Sequence, residues 1–530
     1  MLKEKIEKLI KDIVKKDVHL EHPTNPEFGD YSTNIALQTK TDPAKIIESL
    51  KNNSLFDKVE KAGPGFINFF LSKKALREEL TEIIEQGDNY GQLDIGQSKK
   101  VQVEFISANP TGPLTVANAR GGPYGDVLAD LLQKAGFQTE KAYYVNNFGQ
   151  QILSLGHSVL KDEQAKYKGE YIDELAEKIK EKDPHKAGQL AAKHIIKDSI
   201  QKTTDKLGIK YDEWIFESDL HKSSRVEKVL KYLTEKGLIE QKEEAQWFRS
   251  SKFGDERDRV VVKKDGGKTY LAGDIALHQY KFADKRFDKV INIWGADHHG
   301  DIPGLMAGVE ALGDKGKLEI ILLQFVTILE KGAQKKMSKR AGFYVTMDEL
   351  LDKVGPDAVR FFFLQKSPDT HLNFDLALAQ EQSAKNPVYY VQYAQARICS
   401  ILRKADSKGI LASYASKGRP LDHDLAKGEI VESQGQLFSA LAHPAELNLI
   451  RQLIKFPEII EETAGDYQVQ RLPYYSLELA NSFHKFYEDC RVLDEKNKEQ
   501  SQARLSLIKA TQIVLKNTLE LMGVSAPEKM

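Results

Sequence analysis

A lysine-rich heptapeptide, KMSKRAG at residues 336–342, has the composition of a loop that closes on polyphosphate. Lys336 and Lys339 can neutralise the charge that builds on a leaving pyrophosphate, and Met337 and Ser338 lie between them. A solvated basic turn would have the same composition. The heptapeptide alone therefore indicates phosphate chemistry without establishing it.

A second polar segment, WGADHHG at residues 294–300, directly follows an apolar run that has the pattern of a strand. Open α/β domains bind their ligands at the carboxyl ends of the strands, which is where this segment would lie. Asp297 is suited to accept hydrogen bonds from ribose hydroxyls, and Gly295 lets the backbone come close. A metal site is the alternative, but adjacent histidines on a strand point apart, so chelation by both is poor.

Further polar residues stand at predicted strand ends or in the loops just after them. A pair of carboxylates with an aromatic wall suits a cationic group such as a guanidinium, through bidentate pairing and stacking. Acidic residues at strand ends are common, so this set does not define a substrate by itself. The set comprises Glu104, Asn109, Tyr270, Asp274 and Gln324.

The elements that must position these residues form a predicted α/β domain. Residues 101–105 alternate apolar and polar side chains, and a turn-rich NPTGP leads into a helix that starts near Ala117. A strand, a Gly/Pro loop and a helix in this order open a nucleotide-binding domain. Residues 289–294 and 318–323 predict further strands of the same sheet. The charged stretch of about 160–265 is predicted to be a helical insertion with a hairpin-like end at Arg259–Val262 and residues 265–267.

The flanking regions differ from this domain. Residues 1–95 begin with charged and apolar residues at helical spacing and later contain a turn and a strand at 66–71. From residue 376 to 530 the apolar positions recur every three or four residues without a clear strand, which predicts an all-α domain. The α/β domain is therefore predicted to span 96–375.

Composition excludes several protein classes. The 530 residues suffice for three or four domains, and 41% hydrophobic with 29% charged residues is a globular balance. No apolar run approaches the roughly 20 residues that a membrane span needs, so a cytoplasmic, non-membrane protein is expected. The two cysteines, Cys399 and Cys490, form no CxxC pair, which argues against a disulfide framework or a Cys-rich zinc site.

Long segments in one order across the chain resemble the arginyl-tRNA synthetase family, a class I aminoacyl-tRNA synthetase. In the α/β domain and just after it these are VEFISANPTGPL, YLAGDIALH, WGADHHG, KMSKRAG and NPVYYVQYAQARI. Near the two ends, NPEFGDYSTNIAL with GPGFINFFL and FHKFYEDCRVL with GVSAPEKM resemble the family's flanking RNA-binding domains. Several ordered matches are far more specific than any single one.

The resemblance implies a fold class and a reaction. The fold class is α/β multidomain, with a Rossmann-like catalytic domain carrying the helical insertion, an N-terminal α+β domain that binds the tRNA D-loop, and a C-terminal all-α anticodon-binding domain. ATP, accompanied by Mg²⁺, activates L-arginine to arginyl-adenylate, and the arginyl group then passes to the 3′ end of tRNA-Arg. Family members typically need tRNA for activation. A monomer without protein-bound zinc is expected.

The resemblance also assigns site residues, position by position. The arginine-binding set is Glu104, Ser107, Asn109, Tyr270, Asp274 and Gln324. The ATP-binding set is Gly295, Asp297, His298, Met337 and Ser338, with Lys336 and Lys339 as catalytic residues on the phosphates. The tRNA-binding set is Phe66 and Asn68 in the N-terminal domain and Tyr393, Arg397 and Tyr487 in the helical domain. Ordinary helix packing explains the last three equally well.

The chain departs from the family at its His-x-Gly-His signature, which here reads Thr115-Val116-Ala117-Asn118. The missing histidines donate hydrogen bonds to the ATP phosphates. Losing one such donor costs about 2.7–4 kcal/mol of transition-state stabilisation, and replacing it by another donor should cost less. Thr115 and Asn118 are therefore predicted to be catalytic donors. Asn147, where the family usually has Asp, is a second and milder departure.

Two alternatives remain at this point. A catalytically inactive tRNA-binding paralogue would explain the altered signature, although a decayed enzyme would be expected to lose its phosphate loop and substrate pocket as well. A class I ligase for cysteine or glutamine is the other alternative. Cysteine specificity usually requires a zinc-binding Cys cluster, and glutamine specificity needs no acidic pocket.

Overall fold

The computed structural model describes residues 1–330, 345–408 and 437–530, together with the backbone of Ala333–Gln334. The predicted phosphate loop lies outside the described residues. Its four predicted site residues stay predictions for that reason: Lys336, Met337, Ser338 and Lys339.

The N-terminal domain packs helices against a small antiparallel sheet. Its first helix, Leu2–Val14, buries Leu2, Ile6 and Ile10 at four-residue spacing, as its amphipathic sequence predicts. The strand predicted at 66–71 is present as Phe66–Leu71 and lies in the middle of the sheet. The other strands and helices of the domain are Tyr31–Thr33, Phe56–Ala62, Ile35–Thr39, Pro43–Leu50 and Lys73–Gln86.

A five-stranded parallel sheet forms the centre of the α/β domain. From one edge to the other, its strands are Leu318–Leu323, Lys289–Gly295, Lys100–Glu104, Gln138–Val145 and Glu213–Phe216. After Lys100–Glu104, the chain adds the strands Gln138–Val145 and Glu213–Phe216 on one side of it. It then returns to the other side and adds Lys289–Gly295 and Leu318–Leu323. This reversal of strand order makes a topological switch point, where open α/β sheets bind ligands.

Helices cover this sheet and bring its layers close together. Helix Gly121–Lys134 lies against the first strand so closely that a Cβ on Gly125 would stand 2.2 Å from the Phe105 ring. The remaining helices of the domain are Val116–Ala119, Gln150–Leu160, Glu170–Lys178, Pro184–Ile195, Gln201–Lys206, Glu217–Lys222, Arg225–Glu235, Tyr270–Gln279, Ile302–Ala311 and Met347–Leu364. A small mixed sheet is formed by Val326–Glu330, Ala333–Gln334 and Leu372–Asp375.

The range of about 160–265 contains the helices and the hairpin-like end at Arg259–Val262 that its sequence predicts, but it contains further strands as well. It supplies the edge strand Glu213–Phe216 of the main sheet. It also contains a three-stranded antiparallel sheet made of Ile239–Lys242, Ala245–Phe248 and Arg259–Val262. The three strands other than Arg259–Val262 are not predicted, because strands of four residues with charged members show too few alternations for their period to be recognised.

The C-terminal domain is helical throughout its described residues. Its helices are Leu376–Gln380, Pro387–Ser407, Pro444–Ile454, Phe456–Asp466, Arg471–Asp489 and Lys498–Leu521. The buried Arg360 guanidinium joins this domain to the sheet domain, donating to Met522 O at 2.8 Å and to Asp126 Oδ2 at 2.6 Å. No helix in the described part of the chain is both long enough and apolar enough to cross a lipid bilayer.

Candidate active site

A cavity of about 700 Å³ opens at the carboxyl edge of the parallel sheet, at its switch point. Its lining draws on loops and helix starts that are far apart in sequence and meet because parallel strands end at the same edge. Ten residues predicted from the sequence line this one cavity: Glu104, Ser107, Asn109, Asn118, Tyr270, Asp274, Gly295, Asp297, His298 and Gln324.

The backbone turns sharply where the first strand enters the cavity. Ile106 and Ser107 adopt positive φ angles of 66° and 40°, which are strained for residues with a side chain. The turn directs the Ser107 hydroxyl to donate to Glu104 Oε1 at 3.1 Å, and Ser107 Oγ itself accepts from the Tyr144 backbone N–H at 3.0 Å. Ser107 thus braces the ends of two neighbouring strands.

Glu104 is already neutralised inside the protein. The Lys281 ammonium donates to Glu104 Oε2 at 2.6 Å and to Asn292 Oδ1 at 3.3 Å. The Lys281 and Glu104 side chains are 0% and 4% exposed, so solvent screens this pair little. A cationic substrate therefore finds less free negative charge at Glu104 than the sequence predicts.

Two other carboxyl groups, Glu217 and Asp274, line the cavity without a lysine or arginine partner among the described residues. Burial, then Glu217 and Glu104, raise the pKa of Asp274 to about 8. Glu217 begins the helix Glu217–Lys222, and its buried Oε2 has no hydrogen-bond partner. Buried carboxylates without a counterion are costly, so this arrangement favours a ligand that brings a positive charge.

Asn147 positions the helix that carries Glu217. Its side-chain amide donates to Ser218 Oγ at 3.0 Å, and its side-chain oxygen accepts from the Ser218 backbone N–H at 3.0 Å. An aspartate could also contact both groups, by accepting from the Ser218 hydroxyl and from its N–H. The change from Asp therefore keeps these two contacts and removes a charge.

His278 is held as a neutral ring beside the acidic residues. Burial and the nearby Lys281 lower the pKa of His278 to about 3. Its Nδ1–H donates to the Asp274 carbonyl at 2.7 Å, and Nε2 accepts from Asn292 Nδ2 at 2.9 Å. The hydrogen-bond pattern fixes one tautomer, and the ring adds no charge to the cavity.

Asp297 and His298 form the opposite, exposed side of the cavity. A Cβ on Gly295 would stand 2.5 Å from Asp297 Oδ1, so the glycine leaves room for that carboxylate. His298 Nδ1 lies 3.3 Å from Asp301 Oδ2, and its ring lies 5.7 Å from the Trp294 ring. An indole beside polar acceptors is suited to a nucleoside, which has an apolar base and ribose hydroxyls.

The altered signature places one of its two donors in the cavity and one behind it. Asn118 lines the cavity, whereas Thr115 is buried and is not among the lining residues. The Thr115 hydroxyl donates to Asn118 Oδ1 at 2.7 Å and accepts from the Asn118 backbone N–H at 3.2 Å, capping the helix Val116–Ala119. The structure thus gives Thr115 a positioning contact with Asn118.

The chain that follows the predicted phosphate loop returns to this signature. The Val116 N–H donates to Val345 O at 3.3 Å, and the Met347 N–H donates to Leu114 O at 2.8 Å. The residues that follow the loop, Val345 and Met347, are therefore anchored near Asn118. This placement suits two groups that act on the same phosphates.

Several residues of the site were missed by the sequence predictions. Glu217 follows an apolar run, so the strand-end argument used for Glu104 would have found it had that strand been recognised. Arg120 gave no such signal: its buried guanidinium donates to Gln324 O, to Ser367 O at 3.2 Å and to Thr370 O at 2.9 Å. Arg120 thereby holds the loop that carries Gln324.

The residues predicted to bind tRNA belong to the two flanking domains, and their side chains differ in solvent exposure. Phe66 is exposed, but Asn68 is only 3% exposed and its Oδ1 accepts from Ser32 Oγ at 2.9 Å. Asn68 therefore supports the sheet instead of facing RNA. In the helical domain, the Arg397 guanidinium lies 5.3 Å from the Tyr393 ring centroid and 5.6 Å from that of Tyr487.

Comparison with known proteins identifies the family. Three family models match: "Arginyl tRNA synthetase N terminal domain" over residues 1–71, "tRNA synthetases class I (R), catalytic domain" over 162–398, and "DALR anticodon binding domain" over 391–530. The arginine–tRNA ligase of Bacillus subtilis is 41% identical over 546 residues, covering 97% of this chain and 94% of the relative. The chain belongs to the arginyl-tRNA synthetase family. The ligase of Carboxydothermus hydrogenoformans is 43% identical, with 96% and 94% covered.

Solved structures agree on the fold of this synthetase family. Arginyl-tRNA synthetase from Thermus thermophilus superposes with a TM-score of 0.76 at 21% identity and covers 100% of both chains. The enzyme from Plasmodium falciparum gives 0.77 at 20% identity, covering 100% of this chain and 99% of the other. The Rossmann-like, three-domain architecture predicted from the sequence is confirmed. The curated relatives are ligases, which gives the inactive alternative no support.

Proposed function

We propose that the protein ligates L-arginine to tRNA-Arg in two steps, adenylate formation with ATP and transfer of the arginyl group to the 3′ end of the tRNA. One observation carries the proposal: two buried acidic groups without a lysine or arginine partner in the described residues, Glu217 and Asp274, line the switch-point cavity of a chain that belongs to this family. Such a cavity selects a cationic side chain and leaves room beside it for a nucleotide.

The guanidinium of arginine binds between Glu217 and Asp274. Planar guanidinium groups pair with carboxylates through two parallel hydrogen bonds, and the exposed Tyr270 ring offers a stacking face. The resemblance alone assigns this role to Glu104, but the Lys281 ammonium already compensates that carboxylate. Glu104 instead anchors Ser107 and the strand end, and its charge contributes to the high pKa of Asp274.

ATP binds along the opposite side of the cavity. Asp297 and His298 face the nucleoside, and Asn118 donates its amide to the phosphates while Thr115 fixes the orientation of that amide. We assign Lys336 and Lys339 to the same phosphates, because Val345, which follows their segment, accepts a hydrogen bond from the Val116 N–H near Asn118. These donors are already in position when charge develops on the leaving pyrophosphate. They can therefore stabilise the transition state without a reorganisation of the site.

Magnesium enters with ATP. No group of three or more His, Cys, Asp or Glu side chains in the described residues is arranged to hold a metal ion. Mg²⁺ generally binds through substrate phosphates with one or two carboxylates, so it needs no preformed protein cage. When bound, it neutralises phosphate charge beside Asn118.

The flanking domains bind the tRNA. Phe66 presents an exposed ring on the N-terminal sheet, and Arg397 between Tyr393 and Tyr487 forms an exposed aromatic and cationic surface on the helical domain. Unpaired anticodon bases stack on surfaces of this kind. We expect a monomer that acts in the cytoplasm, where tRNA is charged.

ATP–pyrophosphate exchange tests the activation step. The protein is assayed with arginine alone, with tRNA-Arg alone and with both, and the proposal expects exchange that requires arginine and is greatest with both present. Glu217→Gln and Asp274→Asn should each raise the arginine KM by tenfold or more, since losing one partner of a buried charge pair costs about 2–5 kcal/mol. Exchange that is independent of arginine, or variants within threefold of the parent, would contradict the assignment.

A further inference from the structure

The turn that carries Asp297 and His298 is short and exposed. It is the 3₁₀ turn Ala296–Asp301, and each of its residues from 297 to 301 is exposed. Hydrogen bonds in 3₁₀ turns have poorer geometry than those in α-helices, so such a turn gains little stability from its own backbone. Among the described residues, one side-chain hydrogen bond reaches this turn from another element, and Arg259 donates it.

Arg259 supports the turn from the small antiparallel sheet. It begins the strand Arg259–Val262, and its Nη1–H donates to Gly300 O at 3.2 Å. Its side-chain stem also lies against the helix that follows the turn, since a Cβ on Gly304 would stand 3.4 Å from Arg259 Cγ. Arg259 therefore contacts both the end of the turn and the start of the helix Ile302–Ala311.

A buried carboxylate fixes the orientation of the Arg259 guanidinium. Nε donates to Asp255 Oδ2 at 2.7 Å and Nη2 donates to Asp255 Oδ1 at 2.9 Å, which makes a bidentate pair. The Asp255 side chain is 0% exposed, and its Oδ2 also accepts from Ser250 Oγ at 2.9 Å. With two nitrogens of the planar group held by one carboxylate, the third is directed to the Gly300 carbonyl.

The strand that carries Arg259 also holds the helix Tyr270–Gln279, on the arginine side of the cavity. The Thr269 N–H donates to Val261 O at 3.0 Å, and the Thr269 hydroxyl donates to Val260 O at 2.9 Å. The helix begins at the next residue. The arginine side is thus joined to this strand through its main chain, whereas the nucleoside turn is joined to it through the Arg259 side chain.

We propose that Arg259, oriented by Asp255, is a positioning residue that holds the turn Ala296–Asp301 in its ATP-binding conformation, a proposal that rests on the proposed function. Its donors are directed to Asp255 and Gly300, so Arg259 acts through the turn and not through the phosphates. Without this support, only a fraction of the molecules has the turn in the binding conformation, and the apparent affinity for the nucleoside falls by that fraction. The turnover at saturating ATP changes less, because the bound conformation is the same.

The variant Asp255→Asn with Arg259→Met removes this support without leaving a buried charge. Arg259→Met alone would leave the Asp255 carboxylate buried and unpaired, which is strongly destabilising. In the double variant, the dissociation constants of ATP and of adenosine should both increase about tenfold or more, since a hydrogen bond from a charged donor is lost. Isothermal titration calorimetry measures both constants without catalysis. The arginine KM should not change, because the main-chain bonds to Thr269 remain.

Two further proteins test the geometry of the pair and the specificity of the effect. Arg259→Lys keeps the charge, but a compact ammonium does not replace the planar fork, so only part of the ATP affinity should remain. Full affinity in Arg259→Lys would overturn the role of the fork. The matched control is Glu240→Gln with Arg249→Met, a pair of the same small sheet in which Arg249 Nε donates to Glu240 Oε2 at 3.2 Å. Neither residue lines the active-site cavity, and this control should bind ATP and adenosine as the parent does.

The results for the two ligands distinguish this proposal from the proposed function. A double variant that binds ATP and adenosine as tightly as the parent overturns the positioning role, and the proposed function stands if the parent catalyses arginine-dependent pyrophosphate exchange. A loss confined to ATP also overturns the positioning role, because Arg259 would then contact the phosphates. If the parent catalyses no such exchange, the proposed function fails, and the binding measurements still decide whether Arg259 holds the turn.

Discussion

Arginine affinity should depend on pH because Asp274 must lose a proton to bind the substrate. Burial, with Glu217 and Glu104 as acidic neighbours, raises the pKa of Asp274 to about 8. Without arginine at pH 7, Asp274 is therefore mostly protonated, whereas pairing with a guanidinium requires the carboxylate. Binding releases a proton, so affinity is nearly full only above about pH 9 and falls as the pH drops through 8.

The size of this pH effect on arginine affinity follows from the titration of one group, Asp274. With a pKa of about 8, the dissociation constant scales as 1 + 10^(8 − pH), so it should increase about ninefold from pH 7 to pH 6 and only about twofold from pH 9 to pH 8. Ionising Asp274 at pH 7 costs about 1.4 kcal/mol. Glu217→Gln removes the largest charged contribution to the raised pKa of Asp274, so the pH-dependent range should move to lower pH even though arginine binds more weakly.

Isothermal titration calorimetry of arginine binding between pH 6 and pH 8 measures both effects. Repeating each titration in two buffers of different ionisation enthalpy counts the protons released, and close to one proton is expected at pH 6. Asp274→Asn is the control and should show a pH-independent dissociation constant. A parent protein whose arginine affinity is constant over this range, with no proton release, would refute the assignment of Asp274 to the guanidinium.

Three further predictions concern other parts of the site. Lys281→Met should lower the free energy of unfolding by about 3–5 kcal/mol, because Glu104 loses its buried counterion, and urea denaturation within 1 kcal/mol of the parent would contradict this. Thr115→Val with Asn118→Leu should lower pyrophosphate exchange about tenfold or more without changing tRNA affinity, and unchanged exchange would dismiss these residues as donors. Lys339→Ala should lower kcat for adenylate formation with the arginine KM intact, and a change confined to KM would argue against contact with the phosphates.

Much of the fold was predictable because long apolar runs in the sequence indicate buried strands. The runs at 66–71 and 318–323 became strands with those bounds, and the run at 289–294 became Lys289–Gly295. Parallel strands that share a sheet end at one edge, so polar residues after them converge without any knowledge of tertiary contacts. Asp297, which follows the strand Lys289–Gly295, could be assigned to the cavity in this way. Asp274 and Tyr270, predicted at a strand end, lie instead in the helix Tyr270–Gln279 and reach the cavity from there.

The pairing of charges inside the cavity was not predictable in the same way. Lys281 lies 177 residues from Glu104 and reaches it from a π turn, Tyr280–Asp284, that has no sequence signature. Because the sequence does not reveal that contact, Glu104 is predicted to be a free carboxylate. Glu217 was missed because its strand has only four residues, and the burial of Asn68 depends on a bond to Ser32 that local sequence does not indicate.

Aminoacylation of a tRNA-Arg transcript is the decisive test of arginine–tRNA ligation. The unmodified protein is incubated with ATP, Mg²⁺ and the transcript, and each labelled amino acid is supplied in turn. We expect that arginine alone becomes attached to the tRNA, through a bond that periodate treatment of the 3′ end prevents from forming. Failure to charge arginine despite tRNA binding, or charging of cysteine or glutamine in its place, would contradict it.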